Sequence, residues 1–383
     1  MMKKYHVRFI SFLITWLKIR NMSHFNFQSI SYPPKLLLLV QIPFQNDMGI
    51  RFLTEQPETK QIVLDFIEEW NSPTDHILVK TSGSTGQPKE ILMLKQHMIA
   101  SAKATGQFLG LEKGNTALLC LSMNTIGGRM MVVRSLILEL ELIVSDVSST
   151  PLSYVDEEID FVAMVPMQVQ TSMNQEPSKV STIKKLIIGG GPASPSLINE
   201  LQNITTQVYH TFGMTETISH IAMRRLNHPL EDDFKCLPNV QVESNEGTLV
   251  ITAPNIGVSN LQTNDEVEMT SSTSFRWLGR TDFVINSGGI KLHPEEIESK
   301  LSDLIKGAYF VCGEKDELLG EKLILFIESS EKMELSKNEL RSVLSKHSVP
   351  KEIRYVHQFD YTQSGKINRL TSQELPNVAQ QVL

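Results

Sequence analysis

The sequence predicts an α/β fold in two parts: a large N-terminal domain of mainly parallel sheets with crossover helices, over residues 22–280, and a small C-terminal α+β domain over residues 281–383. Two observations carry this. From about Ile62 to Ala253, short apolar runs alternate with longer amphipathic stretches, as strands alternate with crossover helices. After Gly247 that rhythm breaks, and a loop-rich passage around Asp265 leads into a differently patterned segment of about a hundred residues. A chain of 383 residues is long enough for a large core and two or three domains.

In order along the chain, Ile77–Lys80 reads as a strand entering a Gly/Ser/Thr loop, with a helix over Ile91–Leu109. Thr116–Leu121 and Leu142–Ser145 read as buried strands, with a helical segment over Met130–Leu138 between them. On that helix Arg134 reads as a solvated position. Phe161–Val165 is a strand stopped by Pro166, and Leu186–Ile188 runs straight into Gly189-Gly190-Gly191-Pro192. Beyond Gly247, Thr248–Thr252 reads as a strand. Pro294–Lys306 puts Ile297, Leu301, Leu304 and Ile305 on one helical face, and Pro294 suits a first helical turn. Leu323–Ile327 is a strand, and Ser336 with Glu339 has the spacing of a capping box before Leu340, Val343 and Leu344. Residues 226–245 give no clear signal.

Composition excludes several functions. A net charge of -7 argues against nucleic acid as a partner, because phosphate binding needs clustered Lys and Arg. Cys120, Cys236 and Cys312 are too far apart for a zinc knuckle or a disulfide framework and read as buried free thiols. The ten histidines lack metal-ligand spacing. A reducing, cytoplasmic compartment fits best. The apolar run Phe9–Leu17 is too short to span a bilayer and has no small-residue cleavage site after it, so no stable membrane insertion is expected. Residues 1–21 read as a start codon placed too early, with a leader as the alternative.

The sharpest local feature is Thr81-Ser82-Gly83-Ser84-Thr85-Gly86-Gln87-Pro88-Lys89. Glycines let main chain approach an anion, hydroxyls donate hydrogen bonds, and Lys89 adds a point charge. No Gly-Lys-Ser/Thr follows, so this is not a Walker A loop.

This segment resembles the phosphate-binding loop of the adenylate-forming superfamily, which includes acyl-CoA synthetases, peptide-synthetase adenylation domains and luciferases. The other motifs follow in the order of that family, over roughly Ile77 to Leu370. Gly189, Gly190 and Gly191 resemble the turn that lies against adenine. Tyr209-His210-Thr211-Phe212-Gly213-Met214-Thr215-Glu216 resembles the motif whose Thr-Glu pair meets the nucleotide phosphates and magnesium. Thr263-Asn264-Asp265 resembles the Thr-Gly-Asp whose aspartate binds ribose, with Asn264 in place of glycine. Gly279-Arg280-Thr281-Asp282 resembles the hinge motif, implying ribose contact for Arg280 and a pivot at Asp282, about which the small domain rotates. Ser364-Gly365-Lys366-Ile367-Asn368-Arg369 resembles the terminal motif with the catalytic lysine, Lys366. The resemblance implies ATP and Mg2+, and CoA as co-substrate, with Gly288 and Gly289 close to the pantetheine arm.

The chemistry matches these residue types. A carboxylate attacking the α-phosphorus of ATP brings two anions together and builds charge on equatorial oxygens. Loop donors, a metal held by Glu216, and Lys366 would all counter that charge. The short segment before Thr81 and the sequence Ser122–Met130 resemble a compact group of O-succinylbenzoate–CoA ligases of menaquinone biosynthesis. Thr125 stands where larger relatives have histidine. The resemblance assigns Asn124, Gly128 and Arg129 to the acid, and a second carboxylate on that acid would give Arg129 a partner. The expected partners are therefore a small carboxylic acid, ATP and CoA. A homo-oligomer is left open. The competing readings are another aryl- or acyl-CoA ligase, a free-standing aminoacyl adenylation domain, and a non-catalytic nucleotide-binding protein.

Overall fold

The computed structural model describes residues 49–80, 90–302, 304–333, 335–361 and 367–383. The expectations for residues 1–21, for Thr81–Lys89 and for Lys366 lie outside the described residues.

The strands in chain order are β1 (Ile50–Phe52), β2 (His76–Lys80), β3 (Glu90–Leu94), β4 (Thr116–Leu119), β5 (Glu141–Val144), β6 (Ile159–Met164), β7 (Ile183–Ile188), β8 (Gln207–Gly213), β9 (His220–Arg225) and β10 (Phe234–Cys236). They continue as β11 (Gln241–Asn245), β12 (Thr248–Ala253), β13 (Val258–Ser271), β14 (Ser274–Arg280), β15 (Ile285–Ser287), β16 (Ile290–Leu292), β17 (Tyr309–Asp316), β18 (Gly320–Glu328), β19 (Glu352–Val356) and β20 (Asn377–Val382). The main helices are α1 (Pro57–Asn71), α2 (Lys95–Leu109), α3 (Ile126–Leu138), α4 (Pro166–Gln175), α5 (Pro195–Leu201), α6 (Pro294–Leu301) and α7 (Lys337–Val343).

Twelve strands form one sheet, ordered β1-β5-β4-β6-β7-β8-β9-β10-β14-β13-β12-β11. From β1 to β8 every pairing is parallel, as the alternating pattern predicts. From β8 to β11 every pairing is antiparallel. Successive residues of the parallel strands point to opposite faces, so both faces must be covered. On one face Leu119, Phe161 and Ile187 join Val63, Met98 and Met130 of α1–α3. On the other, Leu118, Val162 and Leu186 join Val169 of α4 and Leu197 of α5.

The stretch Ile91–Leu109, expected to be one helix, divides. Glu90–Leu94 pairs antiparallel with His76–Lys80, and α2 starts only at Lys95. The two strands thus hold both ends of residues 81–89 at one point. The apolar run Ile91–Leu94 carries no period that separates a strand from the helix after it.

The second sheet contains β16-β15-β18-β19-β20, with β17 also on β18. Leu323, Leu325 and Ile327 of β18 pack with Ile297 and Leu301 of α6 and Leu340 of α7, while Ile324 and Phe326 pack with Phe310 and Phe359 on the opposite face. The capping box forms: Ser336 Oγ accepts from Glu339 N at 3.2 Å, and Glu339 Oε2 accepts from Ser336 N at 2.8 Å. Helix α6 stops at Leu301, earlier than the sequence suggests, yet Leu304 and Ile305 still face the core. Cys120 is buried, Cys236 and Cys312 are half-buried, and none forms a disulfide. Among the described residues no helix is long and apolar enough to cross a membrane.

Candidate active site

Parallel sheets bind ligands at the carboxyl ends of their strands. Here β7 ends in the glycine turn. Gly190 has φ +82°, a left-handed conformation that favours glycine. A Cβ on Gly189 would sit 2.7 Å from Thr211 Oγ1, which itself donates to the Ile188 carbonyl at 3.1 Å. His210, on neighbouring β8, has Nε2 3.1 Å from the Gly191 carbonyl. A carbonyl only accepts, so Nε2 carries the proton and Nδ1 keeps a lone pair. Among the described residues that Nδ1 is buried without a partner, as is Nε of Arg224, the cross-strand partner of His210. Beside a glycine turn, an unused acceptor and an unused donor suit the edge of a nucleobase such as adenine.

Burial, and then the charge of Arg224, push the His210 pKa down to about 4. His220 is buried and likewise held well below the usual histidine range. Both histidines are neutral in the fold and take up protons more readily when unfolded. Stability is therefore full above pH 6.5 and falls as pH drops through the window towards 4. Thermal melts should lose midpoint over that range, and the His210 ring resonances in proton NMR should not titrate above pH 5. A His210 midpoint near 6.5 would contradict the buried, neutral assignment.

Thr215 and Glu216 sit on a short 3-10 turn between β8 and β9. Glu216 is exposed and makes no hydrogen bond or ion pair among the described residues. Thr217 beneath it is fully buried, its hydroxyl accepting from Met214 N at 3.0 Å and donating to the Ser219 carbonyl at 2.7 Å. Ile218 then has φ +65° and ψ -54°, and Ser219 N donates to the Thr217 carbonyl at 2.6 Å. This is a γ-turn, costly for a β-branched residue and held by its surroundings. Gly213 is needed on the same bend, since a Cβ there would lie 2.4 Å from His220 Cα. Gly213→Ala should destabilise the protein by about 2–3 kcal/mol. Gly191→Ala, which meets only Pro166 Cγ at 3.8 Å, should cost far less. Equal melting temperatures for the two variants would contradict this packing.

Asp265 and Arg280 are direct cross-strand partners on β13 and β14. Asp265 is buried, its Oδ1 accepts from Trp277 Nε1 at 2.9 Å, and its Oδ2 lies 3.8 Å from Arg280 Nη1. Burial pushes its carboxyl pKa up, against Trp277 and Arg280. Arg280 also binds Asp282, and Asp282 Oδ1 accepts from Asn264 Nδ2 at 2.7 Å. The fold thus gathers Asn264, Asp265, Arg280 and Asp282 into one cluster. Gly288 and Gly289 form the two-residue turn between β15 and β16, with φ +60° and +79°, on the six-stranded sheet.

The segment before α3 is held locally. Thr125 caps the helix, accepting from Gly128 N at 3.4 Å, and a Cβ on Gly128 would meet the Ser122 carbonyl at 2.3 Å. Asn124 is exposed. Arg129 donates to the main-chain carbonyls of Leu78 at 2.7 Å and Met123 at 3.1 Å, with its guanidinium over the Phe66 ring. It braces α3 against β2, the strand that enters residues 81–89.

Arg134 is not solvated. It is 2% exposed, and among the described residues no carboxylate pairs with it. Its Nη2 donates to Ser219 Oγ at 2.8 Å, and its Nε lies 3.4 Å from Thr105 Oγ1, which is also 2.9 Å from His220 Nε2. A small cavity of about 30 Å³ borders His220 and Ser101. The sequence did carry a signal: Met130–Val133 and Leu136–Leu138 make α3 apolar on all sides, which leaves it no solvated face.

The family model for AMP-binding enzymes matches residues 38–245, and the chain belongs to that family. It is 36% identical to an acyl-CoA synthetase (AMP-forming)/AMP-acid ligase II-like protein from Dyadobacter fermentans, over 84% of this chain and 95% of that one, with a TM-score of 0.58. It is 25% identical to a 2-succinylbenzoate–CoA ligase from Enterococcus faecalis, over 86% of this chain and 80% of the relative. The structure of o-succinylbenzoate CoA synthetase from Bacillus subtilis, in complex with its acyl-adenylate intermediate, shares the fold with a TM-score of 0.67 at 21% identity, over 78% of this chain and 69% of that one. The chain is thus an enzyme of the adenylate-forming CoA-ligase class.

Proposed function

We propose that the enzyme activates 2-succinylbenzoate with ATP and passes the acyl group to CoA, a step of menaquinone biosynthesis in the cytoplasm. The observation that carries this reading is Arg134. A guanidinium buried with no carboxylate among the described residues is costly, and an acid with a second carboxylate would supply the opposite charge. Ser219 and His220 lie directly after the Thr215–Glu216 turn, so an anion at Arg134 lies a short step along the chain from the phosphate-binding residues.

Under this reading the glycine turn and His210 take the adenine, Asp265 and Arg280 take the ribose, and residues 81–89 with Thr215 take the phosphates. Glu216, exposed and without a described partner, would hold the magnesium ion, which supplies neutralising charge on the phosphates. Lys366 would place a cation between the α-phosphate and the attacking carboxylate oxygen. The carboxylate displaces pyrophosphate, and the CoA thiolate then displaces AMP from the acyl adenylate. For the second step the part beyond residue 280 would turn about Asp282 and bring the Gly288–Gly289 turn towards the pantetheine arm.

The test is formation of CoA thioester and AMP from 2-succinylbenzoate, ATP, magnesium and CoA. Thioester is expected. Its absence from folded, ATP-binding protein, together with thioester from another aryl or acyl acid, would replace the substrate and keep the class.

A further inference from the structure

Asn264 stands where the family motif has glycine, and its side chain reaches the residue proposed as the pivot. We propose that Asn264 is a positioning residue that latches the pivot turn to the ribose-binding strand, setting the balance between the two half-reactions. The proposal rests on the two-step reading above and goes beyond it, because it concerns a side chain that a glycine could not supply.

The geometry is specific. Thr281–Phe283 forms a 3-10 turn between β14 and β15, the stretch in which backbone torsions would change if the second sheet rotated. Two contacts fasten that turn to position 264. Asn264 Nδ2 donates to Asp282 Oδ1 at 2.7 Å, and Thr281 Oγ1 donates to the Asn264 carbonyl at 3.2 Å. The other carboxylate oxygen of Asp282 binds Arg280, whose guanidinium also faces Asp265. Both Asp282 oxygens are therefore engaged by strands β13 and β14, which also carry the ribose pair. A rotation that carries the Asp282 carboxylate away from β13 would break the Asn264 bond. An amide-to-carboxylate bond favours the orientation that contains it, so the latch shifts a two-state balance without touching substrate.

Asn264→Gly removes only the side-chain contact and leaves the main-chain carbonyl that Thr281 uses. Asn264→Asp places a second carboxylate against Asp282 and should push further in the same direction. Acid-dependent ATP–pyrophosphate exchange reads the first half-reaction. Single-turnover thioester formation from pre-formed acyl adenylate reads the second. We expect the ratio of the two rates to change by about threefold in Asn264→Gly, and by more in Asn264→Asp, one half-reaction rising as the other falls. Hydrogen exchange of the 281–284 amides, measured without substrate, should quicken in both variants. Unchanged exchange with an unchanged ratio, or half-reactions that fall together, would overturn the latch. Wild-type protein without either half-reaction would defeat the proposed function instead, while the amide exchange would still judge the Asn264–Asp282 contact.

Discussion

Replacing Arg134 by leucine is expected to lower kcat/KM for 2-succinylbenzoate by on the order of 100-fold, and to raise the melting temperature of the ligand-free protein. The two effects share one cause. In the free enzyme the guanidinium is out of water with hydroxyls and a thioether for company and no carboxylate among the described residues. Exchanging such a charge for an apolar side chain of similar volume commonly stabilises by about 1–3 kcal/mol. In the complex the same charge would meet the second carboxylate of the acid. Removing one member of a buried, hydrogen-bonded charge pair costs about 2–5 kcal/mol, which spans the expected loss. Arg134→Lys keeps a charge without the planar fork and should fall between. A variant that loses stability and activity together would mark Arg134 as a packing residue.

Lys366→Ala is expected to slow acid-dependent ATP–pyrophosphate exchange by on the order of 10²–10³-fold. Removing one well-placed stabiliser of transition-state charge has an effect of that size. Thioester formation from pre-formed acyl adenylate should be far less affected, because the bond that Lys366 is proposed to assist is already made. On either side of residues 362–366, Tyr361 and Ile367 form an antiparallel bridge, and the Tyr361 hydroxyl donates to Glu328 Oε2 at 2.9 Å. Equal slowing of both half-reactions would contradict a role confined to adenylation.

The parallel half of the large sheet was legible in the sequence because its strands are buried on both faces and read as unbroken apolar runs. Leu186–Ile188 entering three glycines is the clearest case. The antiparallel half was not. Val258–Ser271 is a fourteen-residue strand, yet it carries Asn260, Thr263, Asn264 and Asp265, residue types that signal loops. Its identity comes from pairing with β12 and β14, which no local pattern reveals. The silent stretch 226–245 holds β10 and β11, where Phe234 stacks on Phe275 across the sheet. Motif order singled out Asp265 and Arg280, and their contact follows from strand register. Arg134, expected to be solvated, is buried with no carboxylate partner among the described residues. A lone charge on a helix is usually solvated, and only the apolar surroundings of Arg134 speak otherwise. Arg129, which the family resemblance assigns to the acid, has its donors on the Leu78 and Met123 carbonyls.

The most direct measurement is kcat/KM for ATP–pyrophosphate exchange with wild-type and Arg134→Leu enzyme, each given 2-succinylbenzoate and the ester in which its second carboxylate is masked. The diacid is expected to beat the ester by on the order of 100-fold in the wild type, and this advantage is expected to collapse in the variant. An advantage that survives in Arg134→Leu, or a wild type that uses both acids equally well, would contradict recognition of a second carboxylate by the buried arginine.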